Sequence, residues 1–339
     1  MDRSLNPRQE RGWYREIRRL RKGHGDSYED AFRCGWESTI CQGLAEERDE
    51  KMAFKINKLL FPEGKRKALT LSYDDGIVHD RHLVELMNQY GVRGTFNLNT
   101  AKLGRKETLK IDGRDVEDSV VTAEEIPQLY EKHEVATHAA RHLSLTECGS
   151  VALYEIIEDR KVLESLVPYI VRGHAYPFGI YDQSVLSMLK EAGICYARTV
   201  VSTGTFDIPE NFLEWHPTCH HADSRLMELA GKFCEEGEDP RIINRPRLFY
   251  LWGHSYEFAR QDNWEVIEEF LSYVSGYRAK IWMATNGEIV DYVEAYRRLI
   301  FSIDGAKVFN PSCRTVWMEA AGEVCEIPAG AAVTLRGYQ

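Results

Sequence analysis

The sequence predicts an α/β fold: a parallel sheet that closes, or nearly closes, into a barrel. Three observations predict it. Short β-branched or aromatic runs alternate with helical patterns from about residue 67 to 301, and strands that alternate with helices form parallel sheets. There are seven such units, more than a small open sheet holds. Polar and turn-forming residues also stand at the ends of the runs, where parallel βα folds keep their reactive groups.

The predicted strands are 68–73, 93–98, 134–137, 170–176, 194–199, 248–252 and 281–284. The predicted helices lie near 80–90, 122–131, 151–166, 182–192, 222–236, 262–275 and 287–301. Leu83, Leu86 and Met87 recur at helical spacing after the first strand and make one buried stripe. Beyond residue 305 the period shortens. Short strands are expected at 308–310, 315–319, 323–327 and 332–335, punctuated by Pro311 and Pro328-Ala329-Gly330, as a small β appendage over 305–339. Residues 1–51 form a charged N-terminal extension, with eleven Lys/Arg and eleven Asp/Glu. Short helices near 12–21 and 28–45 are candidates there. The purine-rich codons implied by residues 46–51 make Met52 an alternative natural start, so the extension need not be native, and the barrel domain is taken as 52–304.

Composition narrows the function. The chain has 339 residues, 43% hydrophobic and 28% charged, with a net charge of −10. Nucleic-acid partners need concentrated Lys and Arg, so this balance argues against one. No apolar run reaches the roughly 18 residues that cross a bilayer. Arg15, Arg18, Arg19, Arg21 and Lys22 supply the basic start of a signal peptide, but no apolar core follows. The eight cysteines contain no CxxC pair. They read as reduced thiols of a cytoplasmic protein.

The chemistry sits at the strand ends. Asp74-Asp75-Gly76 ends the first strand. Adjacent carboxylates repel unless a cation offsets them, although Asp-Asp-Gly is also ordinary turn chemistry. His138 and His142 follow the third strand. Four residues apart on a helical turn, they would lie about 5–6 Å apart at Cβ and suit one metal. Two histidines and a carboxylate leave a fourth zinc position open for water. His254 emerges after 248–252, where it can protonate a leaving amine. Tyr176-Pro177-Phe178-Gly179 ends the fourth strand; Tyr176 and Pro177 would shape a pocket, and the Phe178 N–H would stabilise an oxyanion. His216, His220 and His221 crowd near Cys219, but without a standard metal spacing they read as a loop rim.

Ser72-Tyr73-Asp74-Asp75-Gly76, His138-x-x-x-His142, Tyr176-Pro177-Phe178-Gly179 and Leu251-Trp252-Gly253-His254, in that order, resemble the polysaccharide deacetylases of the NodB-homology group, carbohydrate esterase family 4. The resemblance covers about 67–300. It implies a distorted (β/α)7 barrel and a divalent metal, usually zinc, with cobalt, nickel or manganese as substitutes. By position it implies Asp74 as general base, Asp75, His138 and His142 as metal ligands, His254 as general acid and the Phe178 backbone as oxyanion donor.

Three departures stand out. Ala139 replaces the usual Ser or Thr after the first histidine. Ala175 occupies the position of an arginine that holds the base; Arg198 is the expected substitute and Arg172 a weaker one. The Asp-rich fourth motif that orients the acid has no obvious counterpart; Asp207, Trp215 and Asp223 lie in its region. The expected activity is removal of N-acetyl groups from an amino sugar or oligosaccharide, with Trp215 the aromatic best suited to stack on a sugar ring. Hydrolysis of a small cyclic amide or acetyl ester on the same scaffold is the alternative. A non-haem iron oxygenase shares the ligand set but has no use for Asp74 or His254.

Overall fold

The computed structural model describes residues 58–235 and 245–335, all within one unit, Lys55–Gln339. The expected helices near 12–21 and 28–45, and the Met52 start, lie outside the described residues.

Eight strands make the main sheet. They are β2 (Lys67–Asp74), β3 (Gly94–Leu98), β6 (Glu134–Thr137), β7 (Gly173–Ala175), β8 (Tyr196–Arg198), β9 (Cys219–His220), β10 (Arg247–Gly253) and β11 (Ile281–Met283). Their order is β8-β7-β6-β3-β2-β10-β9, all parallel, with β11 on β2 beside β3. The edge strand β8 is tied by one parallel bridge, Arg198 to Trp215, to the segment that leads into the other edge strand, β9. Thr199 N–H donates to the Trp215 carbonyl and Trp215 N–H to that of Ala197, each at 3.0 Å. The barrel is therefore pulled shut by a connecting segment, not by a full strand pair.

β2 explains the layering, since alternate side chains on a strand face opposite ways. Leu69, Leu71 and Tyr73 point outward into the main apolar core, shared with α1 (Asp80–Tyr90), α5 (Leu226–Glu235) and α7 (Glu265–Ser275). Thr70, Ser72 and Asp74 line the interior. Thr70 Oγ1 donates to Asn286 Oδ1 at 2.7 Å, Ser72 Oγ lies 3.0 Å from Tyr250 Oη, and Asn286 Nδ2 donates to Tyr250 Oη at 2.6 Å. The inside is polar but satisfied, as burial demands. The outer helices run in sequence through α2 (Ile126–Leu129), α3 (Val151–Leu166), α4 (Gln183–Glu191), α6 (Ser255–Gln261) and α8 (Asn286–Arg297).

Three local differences from the expected elements have physical causes. The helix expected near 262–275 is preceded by α6, and Asp262 at φ 56° breaks the path between them. A hairpin of β4 (Thr108–Ile111) and β5 (Arg114–Glu117) was not expected. Its turn, Asp112-Gly113, has φ of 50° and 76°, the left-handed pair that tight hairpins use. β9 has only two residues, too few to leave a period in sequence.

The β appendage recruits residues from beyond the C-terminal segment. β14 (Val316–Ala320) pairs with β15 (Glu323–Ile327) and with β1 (Leu59–Leu60); β13 (Lys307–Phe309) pairs with β12 (Ile300–Phe301) and β16 (Ala332–Thr334). These strands share an apolar core with α8 and with Ala68, Trp215 and Tyr250 of the barrel. No helix among the described residues is long and apolar enough to cross a membrane.

Candidate active site

The C-terminal ends of β2, β6, β8 and β10 bring Asp74, Asp75, His138, His142, Arg198 and His254 into one cluster. Asp74 lies at its buried end, 2% exposed. Its Oδ1 accepts from Asn97 Nδ2 at 2.8 Å, and its Oδ2 pairs with the buried Arg198 guanidinium. Arg198 stands on β8 beside Ala175 of β7, and the Trp252 ring packs 4.2 Å from its guanidinium. Burial alone would raise the Asp74 pKa, but Arg198, His138, His254 and Asn97 outweigh it and press it down to about 2. Arg172 is elsewhere: it pairs with Asp291 on the outer surface.

Asp75 turns the chain at φ 76°. Its Oδ1 is buried without a hydrogen-bond partner, 3.7 Å from His142 Nε2 and 4.0 Å from His138 Nε2. The three ligand atoms lie within 4.8 Å of one another. An orphaned carboxylate oxygen facing two imidazole nitrogens is a donor set that fits a divalent cation. His138 Nδ1 lies 2.8 Å from the Ala175 carbonyl. A carbonyl only accepts, so Nδ1 carries the proton and Nε2 presents its lone pair.

The histidine segment is a tight turn, not the helical turn expected from the spacing. Ala139 and His142 have φ of 58° and 60°, and His142 N–H donates to the Ala139 carbonyl at 3.0 Å. Left-handed backbone at non-glycine residues costs about 1–3 kcal/mol each, so something must hold it. α3 does. Asp159 Oδ2 accepts from His138 N–H at 2.8 Å and its Oδ1 from Thr100 N–H at 2.9 Å. Glu155, one turn earlier, accepts from Arg141 N–H at 2.7 Å. Asn99 Nδ2 donates to the carbonyls of His138 and Ala139 at 2.6 and 2.8 Å. Sequence reasoning missed all three; the i,i+4 pair of acids on α3 was the available signal.

Phe178 sits at φ 59° in the turn after β7, 61% exposed, with its ring edge-on to His142 at 4.6 Å. Two other expectations for this region need correction. Trp215 is 1% exposed and packed against Tyr250, Phe212 and Tyr196 at 4.6, 5.0 and 5.9 Å; closing the barrel buries it, so it offers no face to a sugar. Tyr176 and Pro177 are buried too. Tyr176 stacks on Tyr181 at 4.6 Å and donates to the Leu213 carbonyl at 2.8 Å. Both shape the turn from beneath and touch no open space.

His254 Nε2 faces Asp74 Oδ2 at 4.0 Å. Its Nδ1 lies 2.9 Å from Glu257 Oε1. Burial alone would lower the His254 pKa, but the Glu257 hydrogen bond and the charges of Asp74 and Asp75 win and raise it. Glu257 was also missed in sequence, although it stands three residues after His254 at a helix start. Neither Asp207 nor Asp223 shares this cluster: Asp223 pairs with Arg225, and Asp207 borders a separate small cavity with Trp215 and His216.

The family model for polysaccharide deacetylases matches residues 62–197. No functionally curated protein matches the chain in sequence. A putative polysaccharide deacetylase from Mycobacterium smegmatis is similar in structure, with TM-score 0.50, 17% identity, and 70% of this chain and 93% of that chain covered. A family 4 carbohydrate esterase from Streptomyces lividans, in complex with acetate, gives 0.41, 13%, 65% and 93%. The Streptococcus pyogenes deacetylase PplD gives 0.39, 15%, 57% and 86%. The Mycobacterium structure bears on the fold alone, and it agrees with the distorted barrel described above.

Proposed function

We propose that this polysaccharide deacetylase relative, matched over residues 62–197, hydrolyses the N-acetyl amide of an amino sugar or oligosaccharide at a divalent metal, with zinc the first choice. The observation that carries the reading is the orphaned Asp75 Oδ1 facing the two imidazoles of His138 and His142, with a buried ionised carboxylate, Asp74, alongside. A divalent ion bound there supplies polarisation of an acyl carbonyl and acidification of a water.

The residues of the chain do the rest. Asp74 is ionised throughout the neutral range and accepts the proton of the attacking water. Arg198 and Asn97 fix the Asp74 carboxylate so that it cannot turn aside. The Phe178 N–H donates to the acyl oxygen as charge builds on it. His254 Nε2–H gives its proton to the departing nitrogen. One water and one amide become acetate and a free amine, and His254 and Asp74 end with exchanged protonation until solvent resets them.

A second reading keeps the site and changes the substrate. One exposed apolar residue flanks it: Phe178, 61% exposed, has its ring against His142. Such a flank also suits a compact amide or acetyl ester. Acetate release from N-acetylated chito-oligomers, assayed beside small cyclic amides and acetyl esters with zinc, cobalt, nickel or manganese added to metal-stripped protein, separates the two. Turnover of the chito-oligomers supports the proposal; turnover of the cyclic amides alone overturns it.

A further inference from the structure

A second group of two histidines and one carboxylate stands behind His254, formed by His220, His221 and Glu257. Glu257 lies on α6, the helix whose N-cap is His254. Its Oε1 is 2.9 Å from His254 Nδ1. Its Oε2 is 2.8 Å from His221 Nε2 and 3.3 Å from His220 Nε2. We propose that Glu257, clamped by His220 and His221, is the positioning residue of His254, holding its Nδ1–H inward so that Nε2 faces the reacting groups. The inference rests on the reading of His254 as proton donor.

The ring states follow from the neighbours. Ala222 N–H donates to His220 Nδ1 at 3.1 Å. That nitrogen is therefore an acceptor, and the proton of the neutral ring is on Nε2, aimed at Glu257. His221 is 3% exposed and lies between Tyr73 at 5.8 Å and Phe258 at 4.1 Å, both near-parallel. Its Nδ1 is buried with no partner. A bare lone pair there is cheaper than an unmatched N–H on a charged ring, so His221 is neutral with its proton on Nε2. Three N–H groups then converge on one carboxylate, which keeps Glu257 charged. A metal among these nitrogens would have to displace those protons, and His220 would have to release its backbone donor. The group is a clamp, not a second metal centre.

The charges around His254 act in the same direction. Glu257 comes from α6, His220 and His221 from the end of β9, and Asp74 and Asp75 from the end of β2; Arg198 from β8 is neutralised by Asp74. The rings of Tyr256 and Trp252, 4.9 and 5.7 Å away, close the remaining sides.

The test uses the full chain loaded with metal, as wild type, Glu257→Gln and Glu257→Asp. Nitrogen-15 NMR of the histidine rings reads the His254 tautomer and titration directly. Wild type should show His254 protonated at Nδ1. Glu257→Gln should lower the His254 pKa by about one pH unit. It should also cut kcat by roughly 10–100-fold with KM nearly unchanged, and Glu257→Asp should recover part of both. Bound metal should be the same in all three. An unchanged His254 titration in Glu257→Gln overturns the proposal. So does a second equivalent of metal that this variant loses. The ring measurement needs no substrate, so a failure of the deacetylase reading appears separately, as no turnover in wild type with the tautomer intact.

Discussion

Two groups among the described residues set two histidines around one carboxylate, and only in one of them is a carboxylate oxygen left without a hydrogen-bond partner. Around Asp75, the Oδ1 atom has no partner, and His138 gives its Nδ1 proton to a carbonyl, leaving Nε2 bare. Around Glu257, both carboxylate oxygens are occupied, and His220 receives a backbone N–H at Nδ1, leaving Nε2 protonated. Each offers the same donor types, two imidazoles and a carboxylate. The group on the far side of each ring decides which cluster can take a cation and which is already complete.

The comparison can be broken at its strongest point first. His138→Ala removes a ligand from the open cluster, so bound metal and turnover should both fall to background, read by metal analysis beside acetate release. Trp215→Ala lies outside both clusters. It should lower stability by about 3–5 kcal/mol, the usual cost of emptying a buried aromatic site, seen in denaturant unfolding. KM should be untouched in the folded fraction; a raised KM would restore the sugar-platform role. Asp159→Ala leaves every ligand in place but removes the brace on the N–H groups of His138 and Thr100, and His138 N–H keeps only the Leu98 carbonyl at 3.1 Å. Metal affinity should drop roughly 10–100-fold, measured by chelator competition.

The smallest effect is on pH. His254 must be protonated to act, and its pKa is raised. The protonated fraction survives above the ordinary value of about 6.5 and disappears as pH rises through the folded value. The alkaline limb of kcat/KM should therefore lie above about pH 6.5. A limb below that would mean that burial outweighs Glu257.

The two clusters also differ in how legible they were. Asp74, Asp75, His138, His142 and His254 could be read because each follows an apolar strand, and strand ends share a rim. Arg198 could be read because it ends a strand beside the gap left by Ala175. The clamp could not. Its members lie on a two-residue strand and on the helix that follows His254, and neither leaves an apolar period of its own. Trp215 misled for a related reason: barrel closure by one bridge buries it, and no local pattern announces a bridge. The turn at Ala139–His142 was misread as helical because four-residue spacing does not distinguish a helix from a strained turn braced by Asp159 and Asn99.

Metal content per chain, measured side by side in wild type, Asp74→Asn, Asp75→Asn and Glu257→Gln, tests the central claim most directly. One equivalent should bind to wild type, Asp74→Asn and Glu257→Gln and be lost from Asp75→Asn, while turnover is abolished in Asp74→Asn. Equal loss of metal from Asp74→Asn and Asp75→Asn, or a wild type that binds none, would contradict it.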